Sequence, residues 1–403
     1  MSSPKPRISR RQLITAGAIG LAGAAIGGTY VLQNGVLNKS WQGLKRRRLS
    51  SHLGVLQGGV YHVVRPDGQK LMGVIRFDLD HPQFEHHKLS VPTHTIEPHP
   101  VDARLGVAAM KDGQVISLFD WDSGRELHVD RLQGGTFFHG HTAFTTDGRY
   151  LIASGWRKPD VALAHVYETD GFRLVDRVEI PRGATHDLIH HQGDEFILVH
   201  RRVREAEAVQ KALAVGELDP SWSSLSVWNW RTREVRFVGY DRLREQNYTH
   251  LHKARDGRVH LLTNERSELG VNGFGKGSVE VYDPAKNEVS NVIPVGYLGV
   301  ETELQSHATT LDADVLWVTI PDRGEVLLWD LRKLELITRI REPFVKPTSV
   351  QLSKNGELMI VGDSGRFYAF DPVKGRRLEN VDANWPKFST EGVFCRHTRM
   401  ALI

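Results

Sequence analysis

Histidines recur at matching positions along this chain. His141, His186, His250 and His307 each stand six residues before a turn, and they are 45, 64 and 57 residues apart. His94 precedes His141 by 47 residues, and His397 follows His307 by 90, about twice the usual step. A neutral imidazole is a ligand for transition metals through either ring nitrogen. Six histidines at one level of a closed fold would form a ring able to bind iron, copper or zinc. Glu301 and Glu303, just upstream of His307, would add hard oxygen ligands and favour iron over copper. The same positions also suit a structural role in which each imidazole hydrogen-bonds a loop. His190, His191, His200 and His252 lie close enough to act as outer supports. His81, His86, His87, His128, His165 and His260 share no register with the others and read as surface or packing residues.

Positioning such a ring needs a repeated element. From residue 53 onward, short alternating apolar runs are separated by Asp-Gly, Asn-Gly and Ser-Gly turns, the pattern of an all-β chain. An apolar or aromatic residue followed by Asp, Glu or Asn recurs at Phe77-Asp78, Phe119-Asp120, Tyr167-Glu168, Trp228-Asn229, Tyr282-Asp283, Trp329-Asp330 and Phe370-Asp371. These copies are 42, 48, 61, 54, 47 and 41 residues apart, the period of a four-stranded propeller blade. The expectation is a seven-bladed β-propeller over residues 53–403, with the histidines on the innermost strands facing the channel. Arg204–Val215 accounts for the longest step and reads as a helical insertion in blade four. The first blade is one strand short, so the apolar segment Gly392–Ile403 is expected to complete it and close the ring.

Residues 1–35 read as an address. Ser9-Arg10-Arg11-Gln12-Leu13 opens an apolar, Ala- and Gly-rich run to Leu32, the pattern of a twin-arginine export signal. The run is also long enough for an uncleaved membrane anchor. Residues 36–52 form a basic linker with Lys45-Arg46-Arg47-Arg48. The expected location is the periplasm, with membrane contact only through an uncleaved N-terminus. One cysteine, Cys395, excludes an intrachain disulfide framework and multi-cysteine metal sites. The formal charge of +4 is misleading, because residues 1–50 hold nine Lys/Arg and no Asp or Glu. The remaining chain has 43 basic and 48 acidic residues, a composition that speaks against nucleic acid as a partner.

Phe138-His139-Gly140-His141, Phe144, Asp147-Gly148-Arg149, His186, Pro220-Ser221, Ser224-Leu225, His250-Leu251 and Asp256-Gly257 together resemble the bacterial family catalogued as domain of unknown function 1513. His397 matches a near-terminal histidine of that family. The resemblance implies a Tat-exported seven-bladed propeller, and its usual neighbourhood with imelysin-type iron-uptake proteins implies a role in periplasmic iron or metal handling. Arg201–Glu217 replaces the family's Asn-rich segment, which puts in doubt any ligand site built there. More distantly, the chain resembles the heavy subunit of quinoprotein amine dehydrogenases and the repeat-type lactonases. The channel histidines are similar in architecture to the site of nitrous oxide reductases.

Three functions follow from these residues. One is a periplasmic metal-binding propeller carrying iron or copper on His94, His141, His186, His250, His307 and His397. The second is a non-catalytic scaffold for a periplasmic protein partner, with the blade-four insertion as its distinguishing feature. The third is a propeller hydrolase of the lactonase kind, which needs a carboxylate-rich divalent site where this chain has histidine. No nucleophile elbow, phosphate loop or dinucleotide fingerprint is present to suggest another reaction.

Overall fold

The computed structural model describes residues 53–64, 70–81, 83–91, 93–157, 161–180, 185–200, 223–240, 247–264, 278–294, 304, 306–363, 366–383, 385 and 401–402. They form antiparallel sheets in which each strand pairs with its neighbour in sequence. The first sheet holds β1 (Val55–Val64), β2 (Lys70–Asp78) and β3 (Gln83–Lys88). The second holds β4 (Thr95–Pro98), β5 (Leu105–Ala109), β6 (Val115–Asp120) and β7 (Glu126–Arg131). The third holds β8 (Thr136–Phe144), β9 (Tyr150–Arg157), β10 (Val161–Glu168) and β11 (Arg173–Glu179). Next come β12 (Thr185–Gln192), β13 (Glu195–His200), β14 (Ser224–Asn229) and β15 (Val235–Tyr240). They are followed by β16 (Asn247–Lys253), β17 (Val259–Asn264), β18 (Ser278–Asp283) and β19 (Glu288–Pro294). Then come β20 (His307–Thr309), β21 (Val315–Ile320), β22 (Glu325–Asp330) and β23 (Glu335–Ile340). The last sheet has β24 (Ser349–Leu352), β25 (Met359–Asp363) and β26 (Arg366–Phe370). The terminal β27 (Ala401–Leu402) pairs antiparallel with β1, Leu56 opposite Leu402, so both ends of the chain build the first sheet.

This is an all-β propeller, but the expected seven-bladed propeller is corrected: among the described residues, six blades have the full four strands. Six sheets have four strands, and the sheet β24–β26 has three. The chemistry around β26 explains the difference. After a single bridge between Phe370 and Arg377, the chain turns into α1 (Glu379–Asp382). The buried Asp382 carboxylate accepts the Ala369 N–H at 3.1 Å, a donor on β26, and grips Arg377 through Nε at 3.0 Å and Nη2 at 2.9 Å. Leu378 and Trp385 then cap Phe77, Ile360 and Phe367. The expected helical insertion in blade four is likewise not part of the observed architecture. Helix among the described residues is limited to α1 and a 3-10 turn at Pro321–Arg323, and Arg204–Val215 lies outside them. The expected N-terminal signal and linker, Glu301, Glu303 and His397 also fall outside the described residues. Among the described residues, no helix is long and apolar enough to cross a membrane.

The aromatic–acid dipeptides end the third strand of each sheet. Their rings are buried at Phe77, Phe119, Tyr167, Trp228, Tyr282 and Phe370. The acid or amide oxygen that follows caps the turn outward. Asp120 accepts the Ser123 N–H, Asn229 accepts Arg231 and Thr232, and Asp330 accepts Arg332 and Lys333. These side-chain-to-backbone bonds are what Asp and Asn offer a turn. Apolar layers join consecutive sheets: Ile152 and Val166 pack with Leu188, Phe196 and Trp228. Outer strands such as β11 alternate toward solvent, whereas β8 is buried along nearly all its length. The first strands of neighbouring sheets therefore lie side by side, β4 next to β8, β8 next to β12 and β12 next to β16.

Replacing Asp382 by Ala strands Arg377 and an inner donor of β26. Loss of one partner of a buried pair is expected to destabilise the protein by about 3 kcal/mol, read as a lower urea midpoint at unchanged m-value.

Candidate metal centre

Three neighbouring first strands deliver a buried cluster. His141 comes from β8, His186 from β12 and His250 from β16. One ring nitrogen from each lies within 4.8 Å of the others, and all three residues are buried. Their ring centroids are separated by 5.2 Å (His141–His186), 5.3 Å (His186–His250) and 5.5 Å (His141–His250). These three histidines could hold a metal ion. Nitrogen-bound zinc sits about 2.0–2.1 Å from its ligands, so the three rings would have to draw closer to share one ion.

The strand register explains why these side chains meet. Each triad histidine sits where the ladder is interrupted. In β8, residues 139–141 face a single position of β9, because Phe138 pairs with Gly155 and Thr142 with Ala153. In β12 the register slips between Thr185 and Asp187, leaving His186 out of the ladder. In β16 it slips between Tyr248 and Leu251, around His250. A bulge bends its strand and re-aims the extra side chain. The pairs β4–β5, β20–β21 and β24–β25 have no such slip.

His94 stands just before β4, buried, with its ring edge-on to His141 at 5.0 Å. Gly140 makes room for it. Its φ is +97°, and a Cβ there would come within 2.3 Å of His94 Cδ2. Thr95 Oγ1 donates to the Gly140 carbonyl and holds the two strands together at this point. His307 is buried but pairs regularly with Val318 on β21. Its ring lies 5.4 Å from His252 and stacks at 6.4 Å on His260, and its Nε2 is 3.2 Å from the His260 carbonyl oxygen. It thus belongs to a second histidine group rather than to the triad.

Two residues that the histidine spacing does not reveal complete the site. Asp187 is fully buried, with Oδ1 3.1 Å from His141 Nδ1. The same carboxylate accepts the Leu188 N–H at 2.7 Å and the Leu251 N–H of the neighbouring β16 at 2.9 Å. His139, also buried, is hydrogen-bonded through Nε2 to His186 Nδ1 at 2.8 Å, and its Nδ1 is 3.2 Å from Asp112 Oδ1. The signals were present as His-Asp at 186–187 and His-Gly-His at 139–141. Of the expected outer supports, His200 is buried against Ser226 and Thr185, while His190 and His191 are half-buried and His190 binds the Gly193 carbonyl. His260 and His165, expected at the surface or in packing, are fully buried.

Fold and site together define a β-propeller with a buried imidazole cluster on its inner strands. Hydrazine synthase from Kuenenia stuttgartiensis matches with a TM-score of 0.58 at 13% identity, covering 82% of this chain and 98% of that one. The Cps50 (Swd1) β-propeller domain of Myceliophteria thermophila matches at 12% identity and a TM-score of 0.49, covering 72% of this chain and 86% of that one. At 13% identity the first likeness is one of fold. In all, 1364 solved chains match, so the architecture is widespread and carries no function by itself. No protein-family model and no curated protein matches the chain, and the resemblance to the family of unknown function rests on its short motifs alone.

Burial sets the protonation of the second group. It drives the His260 imidazole down to about 3, with His252 and Arg258 adding to the effect. His307 falls well below the ordinary histidine range for the same first reason, followed by the neighbouring His252 and His260. Folding therefore favours the neutral ring, and the unfolded chain takes up the proton first, near about 6.5. The stability this contributes is complete above that pH and is lost as pH falls toward about 3. The unfolding free energy is expected to drop between pH 7 and pH 5. In His260→Gln the slope below the unfolded value should be shallower by about one proton, about 1.4 kcal/mol per pH unit, as read by urea unfolding at several pH values.

Proposed function

We propose that this chain is an exported β-propeller that holds one transition-metal ion, iron or copper, on His141, His186 and His250 and takes part in handling that metal outside the cytoplasm. The observation that carries the reading is the convergence of three buried imidazoles from three consecutive inner strands, with nitrogens within 4.8 Å. Neutral nitrogen donors suit divalent first-row metals. The Asp187 carboxylate beside His141 places negative charge where a cation would sit nearby. The twin-arginine motif at Arg10-Arg11 supports export, and the likeness of the histidine motifs to the family described above supports a role in iron or metal handling. His94 would add a fourth imidazole next to His141.

A second reading has its own observation. Asp187 ties β12 to β16 and lies against His141 of β8, so the histidines would also serve a scaffold that holds a periplasmic partner protein. Metal content separates the two. Untagged protein, purified after export by its own route, is expected to carry close to one equivalent of iron or copper by plasma mass spectrometry. The His141→Ala/His186→Ala variant should carry none while keeping the β-sheet circular dichroism of the parent. A parent that is empty and also refuses added Fe(II), Cu(II) and Zn(II) would leave the scaffold reading standing.

A further inference from the structure

We infer that His94 is a positioning residue of the metal centre: seated in the space that Gly140 leaves, its ring backs His141 and holds that ligand beside His186 and His250. This rests on the metal reading above and deepens it, because His94 then acts through His141 and not on the ion.

His94 is buried like the triad and lies next to it, yet the nitrogens that converge within 4.8 Å belong to His141, His186 and His250. Its contact is with the His141 ring, 5.0 Å between centroids and 86° between planes. Edge-to-face is a favoured arrangement of paired rings. The same His141 ring lies 5.2 Å from His186 and 5.5 Å from His250, tilted by 49° to each. Along the row of first strands β8 has β4 on one side and β12 on the other. His94 therefore meets His141 from the side away from the other two ligands.

The seat of His94 is built into both strands. The His94 N–H donates to the Ala109 carbonyl at 3.2 Å, and Thr95 Oγ1 donates to the Gly140 carbonyl. Gly140 has φ +97°, and a Cβ there would lie 2.3 Å from His94 Cδ2, 2.8 Å from Cγ and 2.9 Å from Cβ. Another residue at this position would displace the His94 ring and strain the backbone. Gly140 also belongs to the slip in β8, where residues 139–141 interrupt the ladder. One glycine thus shapes the strand next to His141 and clears the space for the ring that backs it. Protein interiors are close-packed, so a filled neighbouring space leaves a side chain few alternative positions. A ligand ordered in advance costs less to order on binding. His186 and His250 then have a fixed partner to close on.

The test uses the full-length parent, His94→Ala, His94→Phe and Gly140→Ala. Cobalt(II) is titrated against a competing chelator, with its visible absorption recorded. His94→Ala and Gly140→Ala are expected to bind about 10–100-fold more weakly than the parent. His94→Phe keeps a ring but carries no ligand nitrogen, and it is expected to restore the affinity and spectrum that His94→Ala loses. A loss in His94→Phe as deep as in His94→Ala would overturn the proposal, because His94 would then act by its nitrogen. Parent-like binding by His94→Ala would overturn it as well and leave the metal reading intact. Alanine at 140 is strained by the positive φ, so the His94 variants carry the test if Gly140→Ala folds poorly. Carbon–proton ring spectra of metal-free, histidine-labelled protein give a second readout. One sharp set of His141 signals is expected in the parent and His94→Phe, and broadened or doubled signals in His94→Ala. A single sharp set in His94→Ala would overturn the backing role. A parent that binds no cobalt, with ring spectra that respond as expected, would defeat the metal reading and leave the contact between the two rings standing.

Discussion

A carboxylate with no solvent around it needs donors, and Asp187 finds backbone donors on two strands while lying against a third. Its own strand β12 supplies the Leu188 N–H, β16 supplies the Leu251 N–H, and the His141 ring of β8 lies 3.1 Å away. An unpaired buried charge costs several kcal/mol, so these three strands are held in one relative register. The triad depends on that register, because each strand contributes one of its histidines.

The ladder interruptions belong to the same arrangement. A regular strand alternates its side chains between two faces, and one face of each inner strand is committed to the apolar layers between sheets. Extra residues in β8, β12 and β16 release a histidine from that alternation. The freed backbone groups are caught locally. Ser154 Oγ donates to the His141 carbonyl at 3.0 Å, and the Leu251 N–H, at the end of the β16 slip, goes to Asp187. At Gly140 the backbone takes a positive φ and the His94 ring occupies the space that a side chain would fill. The result is a site assembled by departures from the repeat, on a scaffold kept rigid by the repeat.

The histidines beyond the triad follow from the same rule. His307 has the same offset from its turn as the triad members, but β20 pairs without a slip, and the ring joins His252 and His260. The buried neutral rings of His307 and His260 make these strands sensitive to acid, since each gains a proton more readily in the unfolded chain. The Asp112–His139 pair runs the other way, from a half-exposed turn to a triad ligand, and so connects the buried cluster to the protein surface.

The all-β class, the blade period and the ends of the third strands were legible in the sequence, because they are local. An aromatic residue that must be buried, followed by an Asp or Asn that must cap a turn, marks a strand end wherever it occurs. His141, His186 and His250 could be singled out for a similar reason, each sitting at a fixed offset from such a turn. What the repeat could not say was where it fails. Among the described residues the last sheet has three strands, and Asp382 and Arg377 lie on the flank of β26, a contact made after the chain has turned into α1. Which histidines meet was decided by strand slips and by a carboxylate that ties two strands and lies against a third. Those are properties of pairing between segments far apart in the chain, and a one-residue change of register moves every side chain to the opposite face.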